Sequence, residues 1–556
     1  MKKISVLILL AAGLSLVGAC VKVDGGLGKG LVDKSLLYDT YTEEFPLEQL
    51  QMKHAAGLSG YSDAHLTIGA IRDDTFGLTT RSAAFTLIPA LDTLDLGKNP
   101  TAVSFDIYFE ADTISCASDG EKGILQNIYV YELTKPLDKT APPAMTPVEY
   151  GTERITDGLP VYGGEGALNF NFTKDFAQKY VDRIAALGPV LKERSDDEDA
   201  IDLYDDYVKA LPGIYITTDV PQGNGGRINL FQFSCLSVVN KYYRRNSNVA
   251  ILKVHSEWDG VQKDSSFVFL PGEPEFSDEA TALRNNSKFY QYCFNHTTHS
   301  TVEGAPAGQL LVEGGSGLKP VVSARELQEK TRAAISARGG NPDKAIIVKA
   351  TIVLPFEMPA DYEDLKYFPS ILSPTICTEM TGDETEDGTP ILTYAGLTDA
   401  SVATEDQGEI DRSILAYTPD ITYHLQELLH REDLDTATDA DIWLLTIHTQ
   451  QVADADGSLY DNSYYQNLLY ANYYNSIYGG GYGYGGMYGG YGGGYGYNNY
   501  YNYMMLAQMM AASTQQTYTT TTELDKDRYY RAVLNGPASP AERKPVFRVT
   551  YALSQQ

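Results

Sequence analysis

The chain has 556 residues and is acidic, with 73 Asp and Glu against 43 Lys and Arg and a formal net charge of −30. A field of that sign excludes nucleic acid as a partner and disfavours direct docking on anionic lipid. Because 43% of the residues are hydrophobic, the chain can bury a sizeable core, which excludes wholesale disorder. After the first 20 residues, no apolar run reaches the about 18 residues that a membrane-spanning helix needs.

The N-terminus has the three parts of a bacterial export signal. Lys2-Lys3 form a positively charged start, Ile4–Val17 is an apolar segment, and Gly18-Ala19 place small residues directly before Cys20. A cleaved signal peptide has this pattern, and a cysteine at this position is typical of the lipobox of bacterial lipoproteins. We therefore predict a signal peptide over residues 1–19 and acylation of Cys20, with palmitate among the acyl chains. The alternative is an ordinary signal peptide followed by a chance cysteine.

Two or more acyl chains give stable membrane anchoring. We therefore predict that residues 20–48 are an N-terminal tether between the acylated cysteine and the first domain. Val21 stands where inner-membrane lipoproteins of the enterobacterial kind carry Asp, so we expect the outer membrane. The stretch after the cysteine contains one acid, Asp24. The sequence leaves open whether the protein faces the periplasm or the cell surface.

Period-two alternation is the dominant pattern of the chain. Phe105, Ile107 and Phe109 alternate with more polar neighbours, and similar patterns recur over Ile346–Leu354 and Val546–Leu553. Many strands of this kind indicate antiparallel sheets rather than parallel βαβ units. We predict a mainly β protein of antiparallel, jelly-roll-like β-sandwich domains with a few packed helices.

The predicted helices carry recognisable start signals. Thr173 is placed to cap one helix, and Ser323 with Glu326 forms a capping box for a second. Another capping box begins at Ser195, and a further helix is expected over residues 419–430. These helices are expected to pack on or between the sheets.

We predict two β-rich domains, over residues 49–272 and 273–556. The second contains a Tyr/Gly-rich low-complexity insertion at about residues 459–520, whose central part carries no charge. Glycine loses the most conformational freedom on ordering, so this segment is a poor candidate for core. It is either a flexible spacer or a contact surface. As a contact surface, it would bind a partner or sugar through tyrosine rings that include Tyr482, Tyr488 and Tyr491.

Several segments, taken in order, resemble a large lipoprotein family of the Bacteroidota that is classified by a domain of unknown function. The resemblance starts at IGAIRDDTFGLTTRSAAF (Ile68–Phe85) and continues through DLYDDYVKALPGIYI, AIIVKATIVLPFE and the terminal RYYRAVL and KPVFRVTYAL. It covers nearly the whole mature chain. The resemblance implies an outer-membrane-associated, largely β lipoprotein and offers no catalytic residues, and the Tyr/Gly-rich insertion departs from the family pattern.

The sequence lacks the common catalytic and metal-binding motifs. G-x-S-x-G, the P-loop, H-E-x-x-H and C-x-x-C are all missing. His296 and His299, in H-T-T-H, would face opposite sides of a strand, and we interpret them as surface-loop residues. We therefore expect no catalytic residue, no metal and no cofactor.

Two weaker ligand candidates remain. Asp454, Asp456 and Asp461 in DADGSLYD resemble a shortened calcium loop, although D-x-D-G is also a common solvated turn. Trp258 in HSEWDG lies at a predicted hairpin turn and is the best candidate for stacking on a sugar. A packing role is the alternative for this tryptophan.

Four cysteines follow Cys20, and an oxidising envelope would allow two disulfides with three possible connectivities. The candidates are Cys116, Cys235, Cys293 and Cys377. Because Cys235 and Cys293 lie in apolar runs, buried free thiols are the alternative for them.

These features favour a non-enzymatic outer-membrane lipoprotein that binds a partner protein or glycan at the cell envelope. A carbohydrate-active or glycan-capture lipoprotein is the first alternative, and it would require a cleft with convergent acids and aromatic rings. An adhesin or matrix component that uses the Tyr/Gly-rich insertion is the second alternative.

Replacement of Cys20 by Ala should abolish lipidation, because the export signal presents this sulfur for acylation. Metabolic labelling with a clickable fatty acid should mark the wild-type protein and leave the Cys20→Ala variant unmarked. Equal labelling of the two proteins would contradict the assignment of the anchor.

Overall fold

The computed structural model describes residues 38–62, 65–89, 94–118, 122–138, 142–188, 203–232, 249–272, 293–300, 308–384, 390–399, 408–434, 437, 439–453 and 518–554. Strands hold 52% of the structure and helices 16%, and the sheets are antiparallel, so the mainly β prediction is confirmed. The jelly-roll-like sandwich arrangement stays a prediction. No described helix is both long enough and apolar enough to span a bilayer.

The described residues form 27 strands, four α-helices and three 3-10 turns. The strands are β1 Tyr38–Pro46, β2 Gln51–His54, β3 Tyr61–Ser62, β4 His65–Asp73, β5 Gly77–Pro89, β6 Lys98–Phe109, β7 Ala111–Ala117, β8 Gln126–Leu133, β9 Tyr150–Arg154, β10 Val161–Tyr162, β11 Leu168–Asn171, β12 Ile214–Thr218, β13 Gly225–Gln232, β14 Val249–Trp258, β15 Val261–Gly272, β16 Cys293–His299, β17 Gln309–Glu313, β18 Leu318–Val322, β19 Ile346–Pro355, β20 Leu372–Glu384, β21 Pro390–Gly396, β22 Ile410–Asp411, β23 Ala416–Tyr417, β24 Ile442–Ala453, β25 Tyr518–Leu524, β26 Arg531–Asn535 and β27 Val546–Ser554. The helices are α1 Lys174–Leu187, α2 Leu203–Ala210, α3 Ala324–Ala337 and α4 Thr422–Leu428, with 3-10 turns at Pro342–Lys344, Tyr362–Tyr367 and Ala541–Arg543.

These strands form two lobes, each with its own apolar core. The first lobe is a 14-stranded sheet made of β3 to β16, with the path β10-β8-β12-β5-β15-β14-β6-β11 and the other strands branching from it. The second lobe contains the sheets β1-β27-β19-β23-β22, β2-β18-β24-β20-β21 with β25, and β17-β26. The described part of the chain therefore begins in the second lobe, crosses to the first between β2 and β3, and returns after β16.

The core of the first lobe is aromatic and is covered by α1. Thr173 caps this helix as predicted, since its Oγ1 accepts from the backbone N–H of Phe176 at 3.2 Å. The Phe105 ring lies 5.1 Å from that of Tyr180 on the helix and 5.9 Å from that of Phe269 on β15. Burial of these large rings supplies most of the favourable free energy of such a core.

In the second lobe, α3 is hydrogen-bonded to the connection between β1 and β2. Ser323 caps the helix as predicted, since its Oγ accepts from Glu326 N. The Glu326 carboxylate accepts hydrogen bonds from the backbone N–H groups of Glu48 and Gln49, at 2.8 and 2.9 Å. This side chain therefore fixes the connection between β1 and β2.

The N-terminal and C-terminal strands are paired along their whole length. The β1–β27 register runs from Tyr38 opposite Ser554 to Pro46 opposite Val546. The last part of the predicted tether is therefore a strand of the second lobe. Similarly, β16 lies beyond the predicted domain boundary at residue 272 and pairs with β5 in the first sheet.

The Tyr/Gly-rich insertion lies outside the described residues except for its last three, which begin β25, and β24 before it is hydrogen-bonded to β25. In the β24–β25 ladder, Ile447 is opposite Leu524 and Ala453 is opposite Tyr518. The first part of the helix predicted from Ser195 also lies outside the described residues, and α2 corresponds to its later part.

Candidate functional site

Trp258, the predicted sugar-stacking residue, ends β14 at the hairpin to β15. Its Nε1 donates to Ser256 Oγ at 2.8 Å, and Lys263 Nζ lies 4.5 Å from the ring centroid. Gly97 approaches the same indole so closely that a Cβ there would clash with Nε1. These three neighbours fix the ring at the hairpin, which is the environment of a packing residue.

Two of the predicted disulfide cysteines are buried free thiols in different places. Cys116 lies among Ile71 and Ile228, and Cys377 lies beside Leu445 in the second lobe. Burial raises the pKa of Cys116 to about 12, which leaves the thiol protonated and unreactive. Cys293 is buried too, and its Sγ lies 3.2 Å from the carbonyl oxygen of His65.

The remaining predicted site residues lie outside the described part of the chain, and their roles stay predictions. They are Cys20, Cys235, Asp454, Asp456, Asp461, Tyr482, Tyr488 and Tyr491.

A concentration of buried charged side chains lies where the two lobes meet. The segment Asp525–Arg531 of the second lobe reaches the first sheet, where Tyr529 N donates to Ser115 Oγ at 2.6 Å and Arg531 pairs with Asp73 at 2.7 Å. We call this region the junction. Its charged and polar members are His65, Thr79, Arg81, Asp112 and His299 from the first lobe and Glu313, Lys319, Asp527 and Tyr529 from the second.

In one half of the junction, a histidine is held between two carboxylates. His65 Nε2 lies 3.1 Å from Asp112 and its Nδ1 lies 3.3 Å from Asp527. Burial alone would lower the pKa of His65, but these two hydrogen bonds outweigh it and raise the pKa to about 9. Ser62 Oγ and Asn295 Nδ2 also donate to Asp527, at 2.6 and 3.1 Å. The imidazolium is therefore the stable form at neutral pH.

In the other half, Glu313 collects donors from both lobes. Tyr529 OH donates to its Oε1 at 2.8 Å, Thr79 Oγ1 does so at 3.2 Å, and His299 Nδ1 lies 3.5 Å away. Burial would raise the pKa of Glu313, but the bonds from His299, Leu318 and Tyr529 lower it to about 2. The carboxylate is therefore ionised although only 2% of its side chain is exposed.

Two buried cations complete the junction. Arg81 is 1% exposed, and its guanidinium donates to the carbonyls of Lys526 and Gly314, both at 3.3 Å. Gly315, at φ +57°, lies so close that any Cβ there would clash with the guanidinium. Lys319 Nζ donates to the carbonyls of Glu313, Gly315 and Gly317, and burial lowers its pKa to about 7.

The side chains of the junction therefore serve to hold the two lobes together. Its acids and bases donate to and accept from one another across the lobe boundary, and Ser62 donates its hydroxyl proton to Asp527 rather than to His65. Charge-assisted bonds of this kind are among the strong ones in proteins. Arg81 and His65 of the first lobe have opposite charges from the second lobe nearby, in Asp527 and Glu313, so separation of the lobes would leave these charges uncompensated.

A second arrangement, an aromatic stack, lies on the first lobe, on the opposite face of β5. Across β8, β12, β5 and β16, Tyr131 is opposite Tyr215, Tyr215 is opposite Ala84, and Ala84 is opposite Phe294. The Tyr150 ring on β9 stacks on Tyr215 at 4.3 Å with a 13° interplanar angle. Tyr150 is 43% exposed although Tyr215 beneath it is buried. A fixed, accessible ring results.

Polar groups adjoin this stack on the same face. Tyr215 OH lies 2.9 Å from His296 Nδ1, and Ser82 Oγ donates to Thr217 Oγ1 at 2.8 Å. Burial lowers the pKa of His296, and burial raises the pKa of Tyr215 to about 12. Both groups are therefore uncharged at neutral pH. We call this surface the tyrosine face, and it comprises Ser82, Tyr129, Tyr131, Tyr150, Tyr215, Thr217 and His296.

The surface-loop interpretation of H-T-T-H is wrong. His296 and His299 lie on β16, which is paired in register with β5 from His299 to Phe294. The opposite orientations predicted from the spacing are found, since His296 lies on the tyrosine face and His299 in the junction. The polar sequence concealed a strand whose two faces have different polar partners.

Metal-binding side chains are not grouped in the described ranges. No set of three or more His, Cys, Asp and Glu side chains is placed there to hold a metal ion.

Comparison with protein-family models, with curated proteins and with solved structures found no match for this chain. The fold and these two arrangements of side chains therefore carry the functional argument.

Sequence reasoning missed both the junction and the tyrosine face. The charged run DKDRYYR at Asp525–Arg531 carries a signal for the junction, because charges are interleaved with two tyrosines directly before a strand. For the tyrosine face the signal was the alternation in IYVYEL at Ile128–Leu133, where tyrosines occupy the positions that face away from the core. Neither pattern shows which residues these side chains contact in the fold.

The junction predicts a pH dependence of stability. Because the pKa of His65 is about 9 when folded and 6.5 in the free side chain, its contribution is full below 6.5 and is lost as pH rises through 9. The unfolding free energy of wild type minus that of His65→Gln should therefore fall by about 3 kcal/mol between about pH 6 and pH 10.

Urea unfolding at the two pH values measures this difference. Lys319 titrates within the same range in both proteins, so its effect cancels in the subtraction. A difference that stays constant with pH would show that the two carboxylates do not hold His65 as a cation.

Proposed function

We propose that this chain is a non-enzymatic lipoprotein, held in the outer membrane through Cys20, that binds a partner protein or glycan at the cell envelope. The tyrosine face is the proposed binding surface. The observation that carries this assignment is the Tyr150 ring, which is 43% exposed and stacked at 4.3 Å on a buried ring.

The stack has the physical properties of a recognition surface. Tyrosine offers a large amphipathic contact area with few rotatable bonds, so little side-chain entropy is lost when a partner binds. Tyr150 is already held by Tyr215, and Tyr131 packs beside it at a ring distance of 5.2 Å. Such preorganisation lowers the cost of binding.

The rest of the described chain supports a scaffold role for the protein. The junction side chains are engaged in holding the lobes together, and β1 joins the N-terminal end of the described chain to β27. An anchor at Cys20 would then hold the second lobe near the membrane, and the first lobe would present the tyrosine face to its partner.

Photo-crosslinking in intact cells tests this proposal. A benzoylphenylalanine at position 150 should give a covalent adduct of higher mass on irradiation, because this ring is at the proposed contact. The matched control is the same substitution at Tyr423, which is 53% exposed on α4 in the second lobe. An absence of adduct at position 150, or equal adducts at both positions, would contradict the proposal.

A further inference from the structure

We infer that the tyrosine face binds a neutral saccharide, whose ring stacks on Tyr150 and whose hydroxyl groups bond to the polar side chains beside it. This inference rests on the proposed function and names its ligand. The observation behind it is the combination of one accessible flat ring with a row of uncharged hydrogen-bonding groups on the same sheet face.

The stacking position is the exposed side of Tyr150. Its other side is occupied by Tyr215, and the 13° angle between the rings leaves the outer side flat and roughly parallel to the buried one. The C–H groups on one face of a pyranose are slightly positive and match the negative face of an aromatic ring. A peptide side chain would also stack, but the polar groups around the ring favour a ligand with many hydroxyls.

Those polar groups continue across the neighbouring strands. Thr217 and His296 are partly exposed and lie next to the stack, and the hydroxyls of Thr80 and Thr298 meet 2.5 Å apart one row further on. Each hydroxyl both donates and accepts, as does a neutral imidazole. A saccharide hydroxyl has the same dual capacity, so its partners need no fixed polarity.

The charges on and around the tyrosine face favour a neutral saccharide over an acidic one. The rows from Tyr131 to Phe294 and from Tyr129 to His296 contain no Asp, Glu, Lys or Arg among the described residues, and burial lowers the pKa of His296 and keeps it uncharged at neutral pH. At the edge of the stack, Arg154 on β9 is exposed and lies opposite Tyr131, and Glu149 is paired with Lys135 at 2.7 Å. Because the whole chain carries −30, an anionic polymer would be repelled at long range.

Affinity electrophoresis of the full mature chain in detergent tests the inference. The probes are four neutral polymers (dextran, galactomannan, glucomannan and xyloglucan) and one anionic polymer, polygalacturonate. At least one neutral polymer should retard the wild-type protein. Tyr150→Ala should weaken that binding about tenfold, since the stacking surface is lost, whereas Tyr150→Phe keeps the ring and should stay within about twofold.

Tyr423→Ala is the matched control, because it removes a tyrosine of the other lobe that is at least as exposed as Tyr150, and it should bind as wild type does. Retardation by none of the neutral polymers, retardation by polygalacturonate alone, or unchanged binding by Tyr150→Ala would each overturn the inference. Thermal unfolding of each variant, expected to match wild type, separates loss of binding from loss of fold.

The two proposals fail separately. If the adduct formed at position 150 in cells is a protein, as judged by its digestion with protease, the binding role stands and the saccharide is wrong. If no adduct forms there, the binding role itself is wrong.

Discussion

The buried guanidinium of Arg81 sets the main constraint on this molecule. A cation that is 1% exposed is costly to remove from water unless opposite charges are near it. Burial lowers the pKa of Arg81, whereas the charges of Asp527 and Glu313, both from the second lobe, act to raise it. The first lobe therefore contains a charge that it does not balance by itself in the described junction. The two lobes are held together because the first supplies the buried cation and the second supplies the carboxylates that balance it.

This constraint reaches the tyrosine face through a single strand. Successive side chains of β5 point to opposite sides, so Thr79 and Arg81 lie in the junction while Ser82 and Ala84 lie on the side of the tyrosine face. The junction thus fixes the position of β5, and β5 in turn supports Tyr215 and Phe294 on either side of Ala84. A surface that must keep two rings stacked benefits from a sheet that is clamped from behind.

Local patterns in the sequence were sufficient for several strands and helices. The alternation at Phe105–Phe109 and the caps at Thr173 and Ser323 each depend on residues a few positions apart, and all are confirmed. The junction depends on pairs such as Thr79 and Tyr529, which are 450 residues apart. Periodicity shows which side of a strand is apolar, but it does not show which strand lies opposite.

Polar residues were the main source of error. A strand that is polar on both faces, such as β16, has no apolar alternation, so its sequence predicts a loop. The capping box predicts that the Glu326 carboxylate accepts at the start of its own helix, whereas in the structure it accepts from Glu48 and Gln49 in a distant segment. Buried polar groups must find partners, and those partners are set by the tertiary fold.

The most direct test of the account is hydrogen exchange, followed by mass spectrometry, in the Glu313→Gln variant. Removal of this charge should speed exchange to a similar degree in β16 of the first lobe and β17 of the second, because both depend on the junction. Glu149→Gln, which alters an exposed ion pair, should leave both strands unchanged. Faster exchange confined to β17, with β16 as protected as in wild type, would contradict the claim that the junction couples the lobes.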